Sequence, residues 1–266
     1  YLMYVLIVAI VLITGIFIAI LLNSSGKPKP FKDSSGKMIQ ESISEKSVLM
    51  LGDRKFGYFM KSKDSGNPVL LYLHGGMPDY FLTQKYPTGL DELFNVVWLD
   101  QRGAGLSFDA ESSKKQMDIE DMIVDIRDFT NYLRDRFSQD KIYLMAHSGG
   151  TYLGIKVIEQ YPQLYKAYLG IAQISYQKLS EKKAYDYILE RYQDDPKRAK
   201  VYQELLLNPI ELDKPIPAAY TKFRDYAMHD LGVGTMRNMQ NVISGIFLPS
   251  LFFTEYSLTD KINLWR

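Results

Sequence analysis

The sequence contains no cysteine among its 266 residues. That absence excludes disulfide bonds, thiolate catalysis and cysteine-ligated zinc sites. Histidine is almost as scarce, since His74, His147 and His229 are the only three, and a histidine-rich metal cage is therefore not expected. The formal net charge of +1 provides no broad basic surface, so nucleic acid is not a predicted partner.

Charge is absent altogether from one segment, residues 1–22, which read YLMYVLIVAIVLITGIFIAILL. As a helix with a rise of ~1.5 Å per residue this segment would be ~33 Å long, enough to cross a hydrocarbon core of ~30 Å. The run exceeds the apolar region of a secretory signal, and the following NSSGKPKPF lacks the small-residue cleavage pattern. We predict an uncleaved, single-pass membrane anchor, with a cleaved signal peptide as the alternative.

Residues 23–40 are rich in Ser, Gly, Pro and Lys, which is typical of a linker. Lys27, Lys29, Lys32 and Lys37 follow the apolar run, and the positive-inside rule would place them in the cytoplasm. The rule compares two flanks, however, and this sequence opens on Tyr1 with no preceding flank. The residues alone therefore leave the side of the membrane open.

Residues 41–176 have the pattern of an α/β core. Two short β-like runs, SVLML and FGYFM, precede three compact apolar runs at Val69–Leu73, Asn95–Leu99 and Lys141–Met145, which are typical of strands covered on both faces. Apolar residues at helical spacing separate the last two runs, a second helical run ends at Pro162, and KAYLGIA follows as a strand. Strands that alternate with helices predict a mainly parallel sheet flanked by helices.

From Gln177 the pattern changes, because charged residues alternate with apolar residues at helical spacing and no further strand run appears before Arg266. We predict that residues 177–266 form a helical cap region.

Ser148 lies in AHSGG, directly between the predicted strand KIYLM and the helix that follows. A nucleophile elbow has this context, with the serine exposed on a tight strand-to-helix turn and small residues two positions before and after it. Ala146 and Gly150 occupy those two positions. Taken alone, the pattern also fits a glycine-rich helix start without chemistry.

The stretch LHGGMPDY supplies a second element of acyl-transfer chemistry. Such a reaction needs backbone amides directed at the developing oxyanion, and a histidine-glycine-glycine turn can supply one while the residue after the nucleophile supplies the other. Gly76 and Gly149 are the matching positions. We interpret His74 as a residue that braces the turn rather than as a base.

With a third stretch, WLDQRGAGLS, these motifs resemble the α/β-hydrolase superfamily, and within it the proline iminopeptidase group of serine peptidases. The resemblance extends from about Val48 to Ile174. It implies that Ser148 is the nucleophile and favours an extracytoplasmic domain. It also implies active-site loops that contain His74, Gly75, Asp100, Gln101 and Arg102.

Two departures from that group lie on the substrate side: HGGMP replaces HGGPG, and Gly149 replaces a tryptophan. We predict a serine aminopeptidase that acts on a short peptide or small molecule and uses side chains alone, without a cofactor. A carboxylesterase or lipase-like hydrolase and an inactive binding module are the alternatives.

A serine nucleophile also needs a base and an orienting acid, which in this superfamily follow it in the order acid, then histidine. The only histidine after Ser148 is His229, in the predicted cap, and His147 is predicted to be structural because it lies in the elbow itself. We therefore expect the acid, the histidine and the last core strands beyond Arg266.

Overall fold

The computed structural model describes residues 2–77, 80–83, 87–111, 118–234, 239 and 241–265. The chain divides into two compact units. The first comprises Tyr1–Gln173 together with Ser250–Arg266, and the second comprises Ile174–Pro249.

A six-stranded sheet forms the centre of the first unit. Its strands are β1 (Ile43–Leu51), β2 (Arg54–Ser62), β3 (Val69–Leu73), β4 (Asn95–Asp100), β5 (Ile142–His147) and β6 (Tyr165–Ile171). Their order across the sheet is β1-β2-β4-β3-β5-β6. β2 pairs antiparallel with both β1 and β4, whereas β4, β3, β5 and β6 pair in parallel.

Two helices, α3 (Ile119–Arg136) and α4 (Gly149–Gln160), provide side chains to one hydrophobic cluster of the sheet. A second cluster, centred on Trp98 and rich in aromatic rings, includes the alternate residues of β3 and β4. β3 and β4 are buried along their whole length, because their side chains pack into one cluster on one face of the sheet and into the other cluster on the other face. The predicted α/β fold with a mainly parallel sheet is confirmed.

The start of α3 and the end of α4 lie where the sequence provides a signal. Asp118 precedes α3, and its carboxylate accepts a hydrogen bond from Glu120 N at 3.3 Å, as an N-cap residue does. α4 ends two residues before Pro162, whose missing N–H could not continue the helix. A short helix, α2 (Leu90–Leu93), precedes β4.

The apolar N-terminal segment is a single helix, α1 (Leu2–Leu22). Its stretch Met3–Leu22 is long and apolar enough to cross a membrane, and none of the most apolar part is buried in the protein. A signal sequence near the N-terminus has the same properties. α1 ends where Asn23 Nδ2 and Ser24 Oγ donate to the carbonyls of Ala19 and Ile20, at 2.9 and 2.6 Å.

The residues after α1 are hydrogen-bonded to the rest of the first unit. Gly26 N donates to Thr254 O at 3.0 Å, and Ser44 Oγ donates to Lys29 O at 2.6 Å. The first part of the predicted linker is thus attached to residues far away in the sequence.

The second unit is helical, and its first long helix begins at Gln177, the residue at which the sequence pattern changes. It contains α5 (Gln177–Tyr192), α6 (Ala199–Leu206) and α7 (Ala218–Asp230), followed by a π-helical turn. The short helix α8 (Leu248–Ser250) begins in this unit, and its last residue belongs to the first unit. The buried Glu181 carboxylate joins α5 to α7, because it accepts hydrogen bonds from Tyr220 Oη at 2.6 Å and Arg224 Nε at 3.1 Å. The last helix, α9 (Leu258–Leu264), belongs to the first unit.

Candidate active site

Ser148 occupies the single residue between β5 and α4, with φ 48° and ψ −122°. This backbone conformation is unfavourable for a residue with a side chain and persists only where the surroundings fix it. Ser148 N donates to Ile171 O at 2.9 Å, and Ser148 O accepts from Thr151 N at 2.9 Å. The end of β6 and the first turn of α4 therefore hold the serine in place.

The glycine turn after β3 packs directly against this serine. A Cβ atom at Gly75 would lie 3.0 Å from Ser148 Cβ and 3.6 Å from Ser148 Oγ. A Cβ atom at Gly149 would lie 3.4 Å from Gly76 N. Gly149 is the first residue of α4, where backbone amides have no partner within the helix. Gly76 in the glycine turn and Gly149 in the elbow are thus neighbours where the turn contacts the elbow.

His74 uses both ring nitrogens within this framework. Gln101 N donates to His74 Nε2 at 3.1 Å, so the proton lies on Nδ1, which donates to Gly75 O at 2.6 Å. Gln101 Nε2 donates to His74 O at 2.7 Å, and the imidazole stacks on Trp98 with 5.5 Å between ring centroids. His74 thus joins the glycine turn to the loop that contains Gln101.

Asp100 lies beneath the same loop and is only 1% exposed. Its Oδ1 accepts from Trp98 Nε1 at 2.9 Å and from Tyr256 Oη at 2.7 Å, and its Oδ2 accepts from Leu106 N at 2.8 Å. Burial raises the pKa of the Asp100 carboxyl above its ordinary value, although these donors oppose that change. Asp100 is therefore placed to organise the loop.

Arg102 contacts a partner that the sequence analysis did not identify. Its Nε and one terminal nitrogen donate to the two carboxylate oxygens of Asp125, each at 2.6 Å. Arg54 donates to the same carboxylate at 2.9 Å. Asp125 lies on α3 and is 6% exposed, so this bidentate pair attaches the loop after β4 to a helix of the core.

A cavity of about 220 Å³ adjoins the glycine turn. His74 and Gly76 line it near the turn, and Tyr256 and Leu264 line it from the C-terminal segment. The structure thus brings together all five residues that the sequence assigned to the active-site loops, whereas Ser148 and Gly149 are not part of the lining. The predicted site residues in its lining are His74, Gly75, Gly76, Asp100, Gln101 and Arg102.

In the described part of the chain, no hydrogen bond joins Ser148 Oγ to a histidine or a carboxylate. His147 is half-buried at the end of β5. His229 lies in the helical unit, where Nδ1 donates to Asp225 O at 2.8 Å and the side chain is 3% exposed. Across the residues that the structure describes, no cluster of His, Asp or Glu could hold a metal ion.

Replacement of Asp100 by asparagine is expected to lower the free energy of unfolding by about 2–3 kcal/mol. In either orientation the amide NH2 would face an N–H donor, that of Leu106 or that of Trp98. Urea unfolding of Asp100→Asn measures the loss, with the exposed Asp53→Asn as a control that should be close to neutral. Equal stability of the two variants would contradict the structural role of the Asp100 carboxylate.

The chain matches a protein family and one curated relative. The family model described as "Serine aminopeptidase, S33" matches residues 69–202, about half of the chain. "Probable aminopeptidase YbaC" from Bacillus subtilis (strain 168) is 37% identical over 153 residues, which are 57% of this chain and 48% of that protein. The chain therefore spans about half the length of the curated relative it matches.

Solved structures show more distant similarity. A proline iminopeptidase-related protein from Thermus thermophilus has a TM-score of 0.43 and 18% identity, over 84% of this chain and 87% of that chain. A putative epoxide hydrolase from Pseudomonas aeruginosa also has a TM-score of 0.43 and 18% identity, over 83% and 67% of the two chains.

Proposed function

The chain belongs to the serine aminopeptidase S33 family, and we propose that it is an α/β-type serine hydrolase in which Ser148 is the nucleophile. The observation that carries this proposal is the contact between the glycine turn and the elbow. Ser148 has an unfavourable backbone conformation, and Gly75 approaches it so closely that a Cβ atom there would be 3.0 Å from Ser148 Cβ. A fold that maintains an unfavourable serine backbone and a close glycine contact at the same residue is well suited to present a reactive hydroxyl.

The proposed reaction is acyl transfer in two steps. Ser148 Oγ forms a bond to the substrate carbonyl carbon and loses its proton to a base, and the carbonyl oxygen becomes an oxyanion. The backbone amides of Gly76 and Gly149 stabilise that oxyanion. Its collapse breaks the bond to the leaving amine, which takes a proton, and water then releases the acyl group from Ser148. The base itself is a prediction from the sequence, a histidine oriented by an acid.

We propose an aminopeptidase rather than an esterase, because the matching family and the curated relative are both described as aminopeptidases. An aminopeptidase needs a carboxylate for the free amine of its substrate, and Glu190, Glu204 and Glu255 are candidates for it. Glu255 is 2% exposed and already accepts from Lys61 Nζ at 3.1 Å. Glu204 Oε1 lies 3.6 Å from Lys222 Nζ, so this carboxylate also has a lysine partner. Glu190 is exposed.

We further propose that α1 anchors the protein in a membrane as a single span. Its length, its lack of charge and the exposure of its apolar side chains support that role. In water, so many exposed apolar side chains on one helix would be unfavourable, and a bilayer removes that cost.

The test combines a chemical probe with paired substrates. A fluorophosphonate is expected to modify the full-length native protein at Ser148 and at no other serine, because the amides of Gly76 and Gly149 are proposed to stabilise the adduct there. Mass spectrometry of a digest identifies the modified peptide. Turnover is then compared on an amino-acid arylamide, such as a proline arylamide, and on a short acyl ester.

Each outcome separates the hypotheses. Modification of Ser148 with turnover of the arylamide supports the aminopeptidase. Modification with turnover of the ester alone supports a carboxylesterase. A protein that is neither modified at Ser148 nor active on either substrate would refute the hydrolase and favour the binding module.

A further inference from the structure

The end of α1 is attached to the C-terminal helix α9 by one buried lysine. Lys261 is 3% exposed, and its Nζ donates to Asn23 O, Ser24 Oγ and Leu251 O, each at 2.8 Å. Asn23 and Ser24 directly follow the last residue of the apolar helix. Three hydrogen bonds satisfy the three donors of the ammonium group, so the contact is specific rather than a chance approach.

Further bonds extend this attachment on both sides of Lys261. Ser25 Oγ donates to Thr254 O at 2.9 Å, and Ser25 forms an isolated β-bridge with Ser257. Asp260 caps the start of α9 together with Ser257 and accepts from Lys46 Nζ at 2.7 Å. The residues after the apolar helix are therefore fixed to the segment 250–265 and to β1.

Three large apolar side chains of that segment are exposed to solvent. Phe252 is 44% exposed, Ile262 is 52% exposed and Trp265 is 37% exposed. Ile262 lies in the last turn of α9 and Trp265 directly follows the helix, where Trp265 N donates to Ile262 O at 3.3 Å. Phe252 directly follows Leu251, whose carbonyl binds Lys261 Nζ. We refer to Phe252, Ile262 and Trp265 as the C-terminal apolar surface.

We propose that the C-terminal apolar surface lies in the headgroup region of the lipid bilayer that α1 enters. This inference rests on the proposed anchor, and it adds a second, peripheral contact between the protein and the membrane. It predicts that the first unit contacts the lipid surface and is not held away from it by a flexible linker.

The geometry favours lipid as the occupant of this surface. If α1 crosses the bilayer, Leu22 lies at the boundary of the hydrocarbon, and the polar layer beyond it is only about 5–8 Å thick. Lys261 Nζ is 2.8 Å from Asn23 O, so the ammonium group of α9 lies within that layer, and the bridge between Ser25 and Ser257 keeps the start of α9 three residues beyond Leu22. Tryptophan is enriched at membrane interfaces, and Lys27 and Lys29, which are exposed and follow α1 within seven residues, favour a surface of anionic lipid.

The same segment also reaches the candidate active site. Tyr256 lies between Thr254 and Ser257, which both contact the residues after α1, and its hydroxyl donates to Asp100. A bilayer contact at the C-terminal apolar surface would therefore fix how the loop above Asp100 is oriented relative to the lipid.

Trp265 is a natural probe for this proposal, because the sequence has two tryptophans and the other, Trp98, is 1% exposed within the core. The full chain is placed in vesicles of phosphatidylcholine and phosphatidylglycerol that contain lipids brominated near the headgroup. We expect about half of the Trp265 emission to be lost, as for an interfacial indole. Trp265→Phe should abolish the quenching, and flotation of the vesicles should show whether the chain is bound at all.

Two variants test the attachment itself. Lys261→Met is expected to leave flotation unchanged but to reduce the quenching of Trp265 at least about twofold, because α9 is no longer held at the end of α1. Leu207→Ser, which removes an apolar side chain that is 79% exposed in the helical unit, should change neither measurement.

The possible failures are distinguishable. A chain that floats with the vesicles but keeps the full emission of Trp265 overturns the peripheral contact and leaves the anchor intact. A chain that does not float overturns both. A third outcome is that Trp265 becomes less exposed to water as the ratio of protein to lipid rises, while the brominated lipids do not quench its emission. That result identifies a second copy of the chain as the occupant and also overturns the proposal.

Discussion

Replacement of Ser148 by alanine is expected to lower kcat of the full-length native protein by about 10⁵-fold or more, on whichever acyl substrate it turns over. The change removes the atom that is proposed to form the acyl bond. The thermal midpoint should change little, because one hydroxyl is lost from a half-buried turn. Steady-state kinetics and a melting curve of the same preparation measure both effects.

Ser138→Ala is a matched control for this variant. Ser138 also has a positive φ, 49° compared with 48° for Ser148, but it lies in an exposed turn after α3. Any effect of alanine on a strained serine backbone should therefore appear in both variants, whereas the loss of turnover should appear only at Ser148. Ser148→Ala with kcat within about tenfold of the wild type would exclude acyl transfer through this residue.

Much of the sheet could be predicted from the sequence, because its central strands carry a strong local signal. VLLYL and NVVWL are short apolar runs bounded by turn-forming residues, and they coincide with β3 and the first five residues of β4. The sequence signal for the elbow is equally local, since a strand, one serine and a glycine-rich helix start occupy consecutive positions. Patterns within a single run of about ten residues suffice for such elements.

Contacts between distant residues could not be predicted in the same way. Tyr256 donates to Asp100 across 156 positions, and no periodicity in either segment indicates that the two meet. Arg102 and Asp125 are closer in sequence, but Asp125 appears in the sequence as one of several acids on the polar side of an amphipathic helix. Its burial depends on where the loop after β4 crosses α3, which only the folded chain determines.

The attachment of the first linker residues has a similar cause. A stretch rich in Ser, Gly, Pro and Lys has little tendency to form regular structure, so its composition indicates flexibility. The hydrogen bonds from Lys261 to Asn23 and Ser24 are made by a residue 238 and 237 positions away. Composition describes what a segment would do alone, whereas these bonds depend on the partner that the fold provides.

Gly150→Ala is expected to lower the free energy of unfolding by about 3 kcal/mol or more and to disrupt the candidate active site. A Cβ atom there would lie 2.4 Å from His74 O and 2.6 Å from Leu73 O. These are backbone atoms of the strand end that leads into the glycine turn, so they cannot rotate away as a flexible side chain could. The elbow and the turn would have to separate, and Gly76 N would move away from Gly149.

Gly149→Ala provides the comparison, because it makes the same chemical change one residue earlier. The nearest atom to a Cβ atom at Gly149 is Gly76 N at 3.4 Å, which is an ordinary contact, and the position is exposed. We expect a change in stability within about 1 kcal/mol, since alanine also favours the helix that begins there. Urea unfolding and fluorophosphonate modification of the two variants measure stability and the site together. If Gly150→Ala unfolded and reacted like Gly149→Ala, the close packing of the elbow against the glycine turn would be wrong, and with it the placement of both proposed oxyanion amides.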